Sequence, residues 1–563
     1  MKEVKTDVLV IGAGAAGSMA AIRASEFIRD ILVLEKAVLR SCGNLGIGHY
    51  SGELNPATNL PGGPTTEQFV EGYLSSSSGW STIERPMDKY IIAEEFPEII
   101  KQLEEWGLEL EKDESGRWAV YWDKLIGERM ESGIPVKGST MKKCLMNELK
   151  RRNIRVIERT MAVDLLTSNG RVAGVVGLNT RTGELTAYRA KAVVMCTGSA
   201  SRTYIVTGSK AWFWMRDMGT NSGDGRGMCY RAGVEMTMME LMRIDHMIGN
   251  CMGRFWGGKC INYKGEEFLK ETYKQGWNRL WAMHLEYLKG NGPVFWDARD
   301  LSEEEMQRRN YVIGEKNYPD ISIEESFRQR GIDPRTQPAE ARLQPVGLLG
   351  GADFDYNGAT SLKGLYAAGD EVWQDSLSGA FVFGRRAGEA AAKYALQNEL
   401  PEVDGKQIRD IEETILAPTR RKDGIPPQEL EEKVRWIMTH YAGLTKSEGM
   451  LKRGLELIEE LRERVLPRIC ARNPHELMRF AEVRNIMDVA EMHMVAALYR
   501  TESVPYGRHF LHRIDYPCQH PSWYRQRVVV KKENGVRKVF KRQTTEQRVP
   551  TKAEYEAVRE VRP

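Results

Sequence analysis

At 563 residues the chain is too long for one simple core, and two or three domains are expected. It is 41% hydrophobic and 28% charged, the balance of an ordinary globular protein, and its net charge of +3 gives no support to a nucleic-acid partner. No run of about 18 apolar residues exists, so no transmembrane segment is expected.

The opening "MKEVKTDVLVIGAG" has an apolar run too short for a signal peptide, and it leads straight into glycines; it reads as a first strand. Residues 6–36 spell a βαβ unit: the strand "TDVLVIGAGAAG", a small-residue helix, and the strand "DILVLEK" ending in an acid. Gly12-Ala13-Gly14-Ala15-Ala16-Gly17 places glycines where a tight turn and close pyrophosphate approach need them. The helix that follows offers free N–H groups and its positive dipole end. Glu35 closes the second strand, where a carboxylate binds a ribose 2′-hydroxyl and repels a 2′-phosphate. The unit predicts a dinucleotide site, for NAD or FAD, against the alternative of a plain glycine turn in a sheet protein.

From about 139 to 198 a helix, a strand, a hairpin and the strand "AVVMCTGS" follow. Between about 230 and 345 the βαβ alternation stops, and Trp, Met and charge become more frequent. The α/β texture returns over 362–395, and long charged helices with apolar spacing near 3.6 residues fill 405–500. "RQRVVVKKENGVRKVFKR" predicts a hairpin closed on Asn534-Gly535. The expected division is a nucleotide-binding domain in two parts (1–232 and 346–402), an inserted domain (233–345), a helical domain (403–515) and a basic tail or hairpin (516–563). The eight cysteines lie scattered with no C-x-x-C pair, which fits a reducing, cytoplasmic setting and argues against an iron–sulfur cluster held by this chain alone. No metal site is expected.

The segments "AVVMCTGS" (192–199), "NSGDGRGM" (221–228) and "GLYAAGDEV" (364–372), with the turn at 12–17, resemble the fumarate reductase and succinate dehydrogenase flavoprotein superfamily over nearly the whole chain. The resemblance implies an α/β fold: a Rossmann-like FAD-binding domain, an inserted α+β capping domain and a C-terminal helical domain. It makes FAD the expected dinucleotide. Carried over by position, it implies Gly12, Gly14, Ala15, Ala16 and Gly17 at the pyrophosphate and Glu35 at the adenosine ribose, with Lys36, Ser41 and Gly43 also among the cofactor-binding residues. Ala162 is expected at the adenine, Thr197 and Gly198 along the adenosine half, Asp224 on the flavin side, and Gly369 and Asp370 at the ribityl chain. Ser376, Leu377 and Ser378 would place backbone N–H groups near the flavin N1–C2=O edge, where they stabilise reduced flavin. "RSCGNLGIGHYSG" (40–52) matches the stretch beside the isoalloxazine. His49 lies there without matching the motif of a covalently bonded histidine, so non-covalent FAD is expected.

The superfamily's substrate set is a Gln-x-His-Pro-Thr segment, an Arg-Asp pair on the capping domain, a His-Tyr-x-Met-Gly-Gly segment and an Arg before the last FAD helix. Here the first becomes "ELMRID" (240–245), and the second has no clean counterpart near "KQGWNRLW" (274–281). The third becomes "QPVGLLGG" (344–351), with Val346 at the histidine position, and the fourth, in "VWQDSLSG" (372–379), has no arginine. A dicarboxylate needs cationic donors at both ends and a group that moves one proton, so plain fumarate reduction or succinate oxidation is disfavoured.

"GVEMTMME" (233–240), "EEWGLELEKDESG" (104–116), "NYKGEEF" (262–268) and "KGNGPVFWD" (289–297) are similar to the adenylylsulfate (APS) reductase alpha-subunit family. That resemblance implies chemistry at flavin N5 on a small anionic substrate, adenylylsulfate first. It also implies electrons exchanged through a ferredoxin-like subunit carrying two 4Fe–4S clusters, hence a hetero-oligomer. The chain departs from that family too, in "LMRIDH" after Met-Met-Glu and in the apolar "QPVGLLGG". The alternatives are a reductase or dehydrogenase of another carboxylate or enoyl substrate, and a flavin electron-transfer subunit of a larger complex.

Four residues are the catalytic candidates. Arg243 would hold a sulfate, phosphate or carboxylate bidentately and His246 would move a proton near neutral pH, against the alternative of an ion pair with Asp245 or Glu240. His49 would flank the flavin ring, or pack against carbonyls; Arg279 would replace the missing capping-domain arginine, or lie on a helix surface. Trp212, Trp214 and Trp256 are stacking candidates for an adenine, with core packing as the alternative. The methionines at 236, 238, 239 and 242 read as packing at a domain seam. Lys531, Lys532, Arg537, Lys538, Lys541 and Arg542 form a basic hairpin, either a docking surface for an acidic ferredoxin or a solvated tail.

Overall fold

The computed structural model describes the chain apart from residues 44–52, 76–82, 127–128, 138–139, 206–218, 249–250, 253–257, 270–277, 306–330, 334, 373–375 and 507–508. His49, Trp212, Trp214 and Trp256 lie outside the described residues, and His246, Val346 and Ser376 are described by their backbone only.

The first sheet is built as the βαβ reading expects. Strand β1 (Lys2–Ile11) ends in the buried run Val8–Ile11, helix α1 (Ala15–Ala24) follows, and strand β2 (Ile31–Leu34) is buried throughout. Such uninterrupted apolar strands suit a parallel sheet covered on both faces. Strands β3 (Arg155–Ile157), β4 (Thr160–Ser168), β5 (Arg171–Asn179) and β6 (Leu185–Met195) complete the order β3-β2-β1-β6-β5-β4, with Leu365–Ala367 also paired to β6. β1, β2, β3, β6 and Leu365–Ala367 run parallel, whereas β4 and β5 form antiparallel pairs. A ligand of such a sheet binds beyond the carboxyl ends of its parallel strands. Those ends lead into Gly12, Glu35, Thr197 and Gly369, so the predicted cofactor residues converge on one edge.

Helix α2 (Asp224–Arg231) begins after Gly223, whose φ of 74° ends the preceding turn. Strands β7 (Met242–Ile248) and β8 (Ala339–Leu348) lie at the centre of a second sheet, in the order Lys259–Ile261, Val294–Asp297, β8, β7, His509–Arg513, Thr445–Lys446. The inserted segment therefore shares its sheet with strands from the C-terminal unit, and Met242 pairs with Phe510. Helix α3 (Ser376–Gln397) returns to the first domain and lies on α1. The two touch backbone to backbone: a Cβ added at Gly388 would stand 2.1 Å from the carbonyl oxygen of Ala20.

Helix α4 (Pro474–Tyr499) is started by Asn473, whose side chain accepts from the N–H of Glu476, and is the buried centre of the C-terminal helices. Strands β9 (Gln526–Glu533) and β10 (Val536–Gln543) form the predicted hairpin, with positive φ at Asn534 and Gly535. It is no loose tail. β9 pairs with Met236–Thr237, which in turn pairs with Gly351–Ala352. Its basic side chains are met within the chain. Lys531 and Arg542 face Glu235, Lys532 and Arg537 face Glu491, Lys538 faces Glu533, and Lys541 lies over the Trp523 ring. The outer strand β10 nonetheless keeps an exposed face, with Arg537, Lys538 and Lys541 open to solvent.

A histidine cluster fills the seam between the second sheet and α4. His284 Nε2 and His512 Nδ1 are 3.0 Å apart, and His493 Nδ1 is 2.8 Å from the carbonyl of Met239. Burial, helped by the neighbouring Lys446 charge, pushes His284 and His493 down to about 3 and His512 down to about 4. Each folded-state value lies below the unfolded value of roughly 6.5, so the unfolded chain binds these protons first. Their stabilising effect is present above about pH 6.5 and is lost as pH falls toward 4. Unfolding between these limits is expected to take up as many as three protons from this cluster. The measurement is the slope of urea-unfolding stability against pH, and His284→Gln is expected to make that slope shallower.

Candidate functional site

The turn at 12–17 tolerates nothing but glycine at two of its positions. Gly12 has φ +97°, and a Cβ there would stand 2.4 Å from the carbonyl oxygen of Cys196; one at Gly17 would stand 1.9 Å from the carbonyl oxygen of Gly12. Gly14 differs: its added Cβ would meet only the Cα of Gly43, at 3.9 Å. That leaves space for a ligand against the backbone. α1 has no acid in its first turn and no side-chain cap, so the N–H groups of Ala15, Ala16 and Gly17 have no intrahelical acceptor. Such a donor set fits a pyrophosphate.

Glu35 straps this turn from behind, accepting the N–H of Ala13 on one oxygen and that of Ala37 on the other, both at 2.7 Å. The N–H of Thr160 bonds the carbonyl of Glu35, which brings Ala162 to the same edge. Ser41 ends the short turn Leu39–Ser41, and Gly43 packs its backbone against Gly14. Lys142, not singled out by the sequence, is buried beneath the turn and donates to the carbonyl of Ala13 at 2.7 Å.

Lys36 and Asp224 are brought together, but on each other. Lys36 Nζ lies 2.9 Å from Asp224 Oδ2 and 2.5 Å from Glu482 Oε1, and it also donates to Thr220 and Ser222. Asp224 also accepts from Ser222 and Asn485. Burial opposes the charges in this cluster, yet Lys36 and Arg202 hold Glu482 down to about 2. The cluster ties the end of β2 to α4.

Arg226 ties together the loops at this sheet edge, and the sequence does not reveal it. It is buried and donates to the backbone carbonyls of Gly198, Leu349, Gly350 and Asp370, joining the loops after β6, β8 and Leu365–Ala367. Beside it, Thr197 Oγ1 accepts the N–H of Gly225 at 2.9 Å and contacts Glu371 Oε2. Glu371 is fully buried; burial pushes its carboxyl up to about 7, opposed by the Arg226 charge. Gly369, with φ +76°, lets its turn approach Ala16, and Ser376, Leu377 and Ser378 form the first turn of α3.

On the opposite face, Glu240 is fully buried and paired with Arg500, Nε to Oε1 2.8 Å. It is therefore no partner for Arg243. Met236, Met238, Met239 and Met242 are buried, as packing requires. Arg243 lies on β7 opposite Gly347, and the register skips Val346 before Ile244 pairs with Pro345. A bulge of this kind re-aims a side chain and is common beside active sites. The Nε of Arg243 is buried and has no hydrogen-bond partner among the described residues. Gly347 lies against Ala200, its added Cβ 3.0 Å from that carbonyl oxygen, so the bulge stands two residues beyond Gly198. His246 follows on the same strand, its backbone opposite Leu343. Arg279, half-buried, lies at the start of the helix Asn278–Leu288, which packs on β7, β8 and Val294–Asp297, and its charge is near Cys260.

Residues 7–381 match the FAD binding domain family, and residues 431–555 match the fumarate reductase flavoprotein C-terminal family. Over 93% of its length the chain is 26% identical to a CoM/CoB fumarate reductase subunit from Methanothermobacter marburgensis, of which 97% is covered. Among solved structures, adenylylsulfate reductase from Archaeoglobus fulgidus superposes with a TM-score of 0.85 at 23% identity, over 98% of this chain and 97% of that one. A quinol fumarate reductase of E. coli superposes with a TM-score of 0.79 at 22% identity, over 98% of each chain. At these identities the superpositions speak for the fold. No helix among the described residues is long and apolar enough to cross a membrane.

Proposed function

Because the chain belongs to the FAD-binding domain family, within the fumarate reductase and succinate dehydrogenase flavoprotein superfamily, we propose that it is the flavoprotein subunit of an FAD-dependent oxidoreductase acting on a small anionic substrate in the cytoplasm. Bound FAD supplies two-electron chemistry at its N5 position. Gly12, Gly14, Ala15, Ala16 and Gly17 hold its pyrophosphate without a covalent bond, and Glu35, Ala162, Thr197, Gly198, Asp370 and the start of α3 line its length. Lys36 and Asp224 act from behind, through their own ion pair.

The observation that carries the substrate reading is Arg243, half-buried at a bulge beside the cradle, with an unspent Nε. Its planar fork suits a sulfate, phosphate or carboxylate group. In this reading Arg243 holds the anion, His246 moves the proton and His49 flanks the ring. Arg279, on the helix that packs against β7, stands in for the capping-domain arginine. Adenylylsulfate is the substrate assigned first, on the "GVEMTMME" resemblance. Electrons pass to or from an iron–sulfur partner, since this chain has no closely spaced cysteines of its own.

Sulfite plus AMP is expected to bleach the oxidised flavin of the holoprotein rapidly. Arg243→Gln should lower the second-order rate constant of that bleaching by about 10- to 100-fold, the value of a hydrogen bond to a charged group. A second reading, reduction of an unsaturated carboxylate, is favoured by the names of the relatives. It predicts that fumarate reoxidises the reduced flavin while sulfite plus AMP does nothing. If neither ligand acts, the chain is left as a flavin electron carrier within a larger complex.

A further inference from the structure

Glu371 has an environment that the cofactor reading does not use. It is fully buried behind the cradle, and one carboxyl oxygen, Oε1, has no hydrogen-bond partner among the described residues. The other, Oε2, touches the hydroxyl of Thr197. An ionised carboxylate held this way lacks the donors that normally compensate its burial. The charged and titratable groups facing it are Cys196 at the end of β6, and Asp224, Arg226 and Cys229 on α2. Arg226 favours the anion and donates to the carbonyls of Gly350 and Asp370. Asp224 opposes the anion, and the two thiols are themselves pushed far up by burial. From the strand Gly351–Ala352 the backbone of Gly351 approaches: a Cβ there would collide with the carbonyl of Glu371.

The pyrophosphate turn is one layer away. Gly12 packs directly on Cys196 and Thr197, and Gly17 on Cys196; Thr197 in turn touches Glu371. We propose that Glu371 takes up a proton from solvent when FAD binds, and that the Thr197 hydroxyl passes this change to the cradle. The FAD pyrophosphate brings two negative charges to the Gly12–Gly17 turn, and they favour the neutral carboxyl behind it. A hydroxyl has one hydrogen and two lone pairs. With one lone pair taken by the N–H of Gly225, Thr197 donates its hydrogen to an ionised Glu371. When Glu371 is protonated, its O–H donates to Thr197, and the Thr197 hydrogen is released toward the cofactor side. Protonation thus removes a repulsive charge and frees a donor at one stroke. Burial pushes the Glu371 carboxyl up to about 7, which places this exchange in the neutral range.

The test needs apoprotein and FAD alone, so its failure says nothing about the substrate. FAD binding is titrated calorimetrically between pH 6 and 8.5 in two buffers of different ionisation enthalpy. Near pH 8 the wild type is expected to take up close to one proton per FAD, and its Kd to rise up to tenfold per pH unit above about 7. Glu371→Gln, neutral at every pH, should bind with a flat Kd and without that uptake. An infrared difference spectrum of the wild type at pH 8 should gain a protonated-carboxyl band when FAD is added. Should the Gln variant fail to hold FAD, the wild-type uptake and this band decide the matter. Absence of uptake in the wild type, absence of the band, or unchanged uptake in the variant overturns the proposal.

Discussion

Replacing Gly17 with alanine is expected to yield protein that no longer retains flavin. The new methyl carbon would stand 1.9 Å from the carbonyl oxygen of Gly12 and 2.9 Å from its carbon, and both are backbone atoms. No side chain is there to move aside. The turn must open, and the three unspent N–H groups at the start of α1 lose their common aim. The stability cost is that of overpacking, about 1–3 kcal/mol, while the flavin-to-protein ratio after gel filtration should fall from near one toward zero. Gly14→Ala separates the two effects. Its methyl carbon would meet only the Cα of Gly43 at 3.9 Å, so the fold should lose little. It would nonetheless stand where the pyrophosphate approaches, so FAD should still be lost. A Gly14→Ala protein that keeps its full flavin content would remove the phosphate from this turn.

Arg500→Met is expected to be among the most destabilising single changes in the chain. Arg500 and Glu240 are both fully buried, and Arg500 also donates to Glu502 and to the carbonyl of Gln526. Removing one partner of a buried pair costs about 3–5 kcal/mol, because the other charge is left without compensation. The midpoint of urea unfolding reads this directly. Burial already pushes the Glu240 carboxyl upward against the pull of Arg500, so losing the arginine moves it further up. The stranded group then binds a proton in the folded state, and the penalty should shrink as pH is lowered from 7 to 5. Adding Glu240→Gln should recover part of the loss at pH 7, whereas it would recover nothing if Arg500 acted only through its contact with Trp523.

What could be read in advance was what is settled over a few residues. The glycine turn, the acid closing β2, and the Asn534-Gly535 hairpin each rest on backbone geometry that neighbouring residues dictate. Partnerships over distance were another matter. Lys36 follows the ribose acid and invited a cofactor role, yet its carboxylates come from positions 224 and 482. The acids that the hairpin's cations face could not be read, because Glu235, Asp353 and Glu491 are scattered along the chain. Arg226 was missed for a different reason: it pairs with carbonyls, which leave no mark in a sequence. Glu371 stood beside the expected ribityl acid, and nothing in "GDEV" distinguishes the half-buried member of that doublet from the fully buried one. In "ELMRIDH", Glu240 turned inward to an arginine 260 positions away, so the segment holds structural and functional charge side by side.

The sheet that joins Met236–Thr237 to β9 also sets an order of assembly. Thr237 donates to the carbonyl of Val528, 291 positions later. A ribosome adding about 5–20 residues per second needs roughly 15–60 s to cover that distance. During this interval the nucleotide turn, made first, can already meet its ligand, while the strand at 236–237 presents an unpaired edge. Such edges are templates for association with other chains, and contacts this remote in sequence form late. The nascent protein is therefore most exposed to misassembly after its cofactor domain is made and before residues 526–533 emerge. Early FAD capture would shorten the list of regions still unfolded in that window without closing the edge itself.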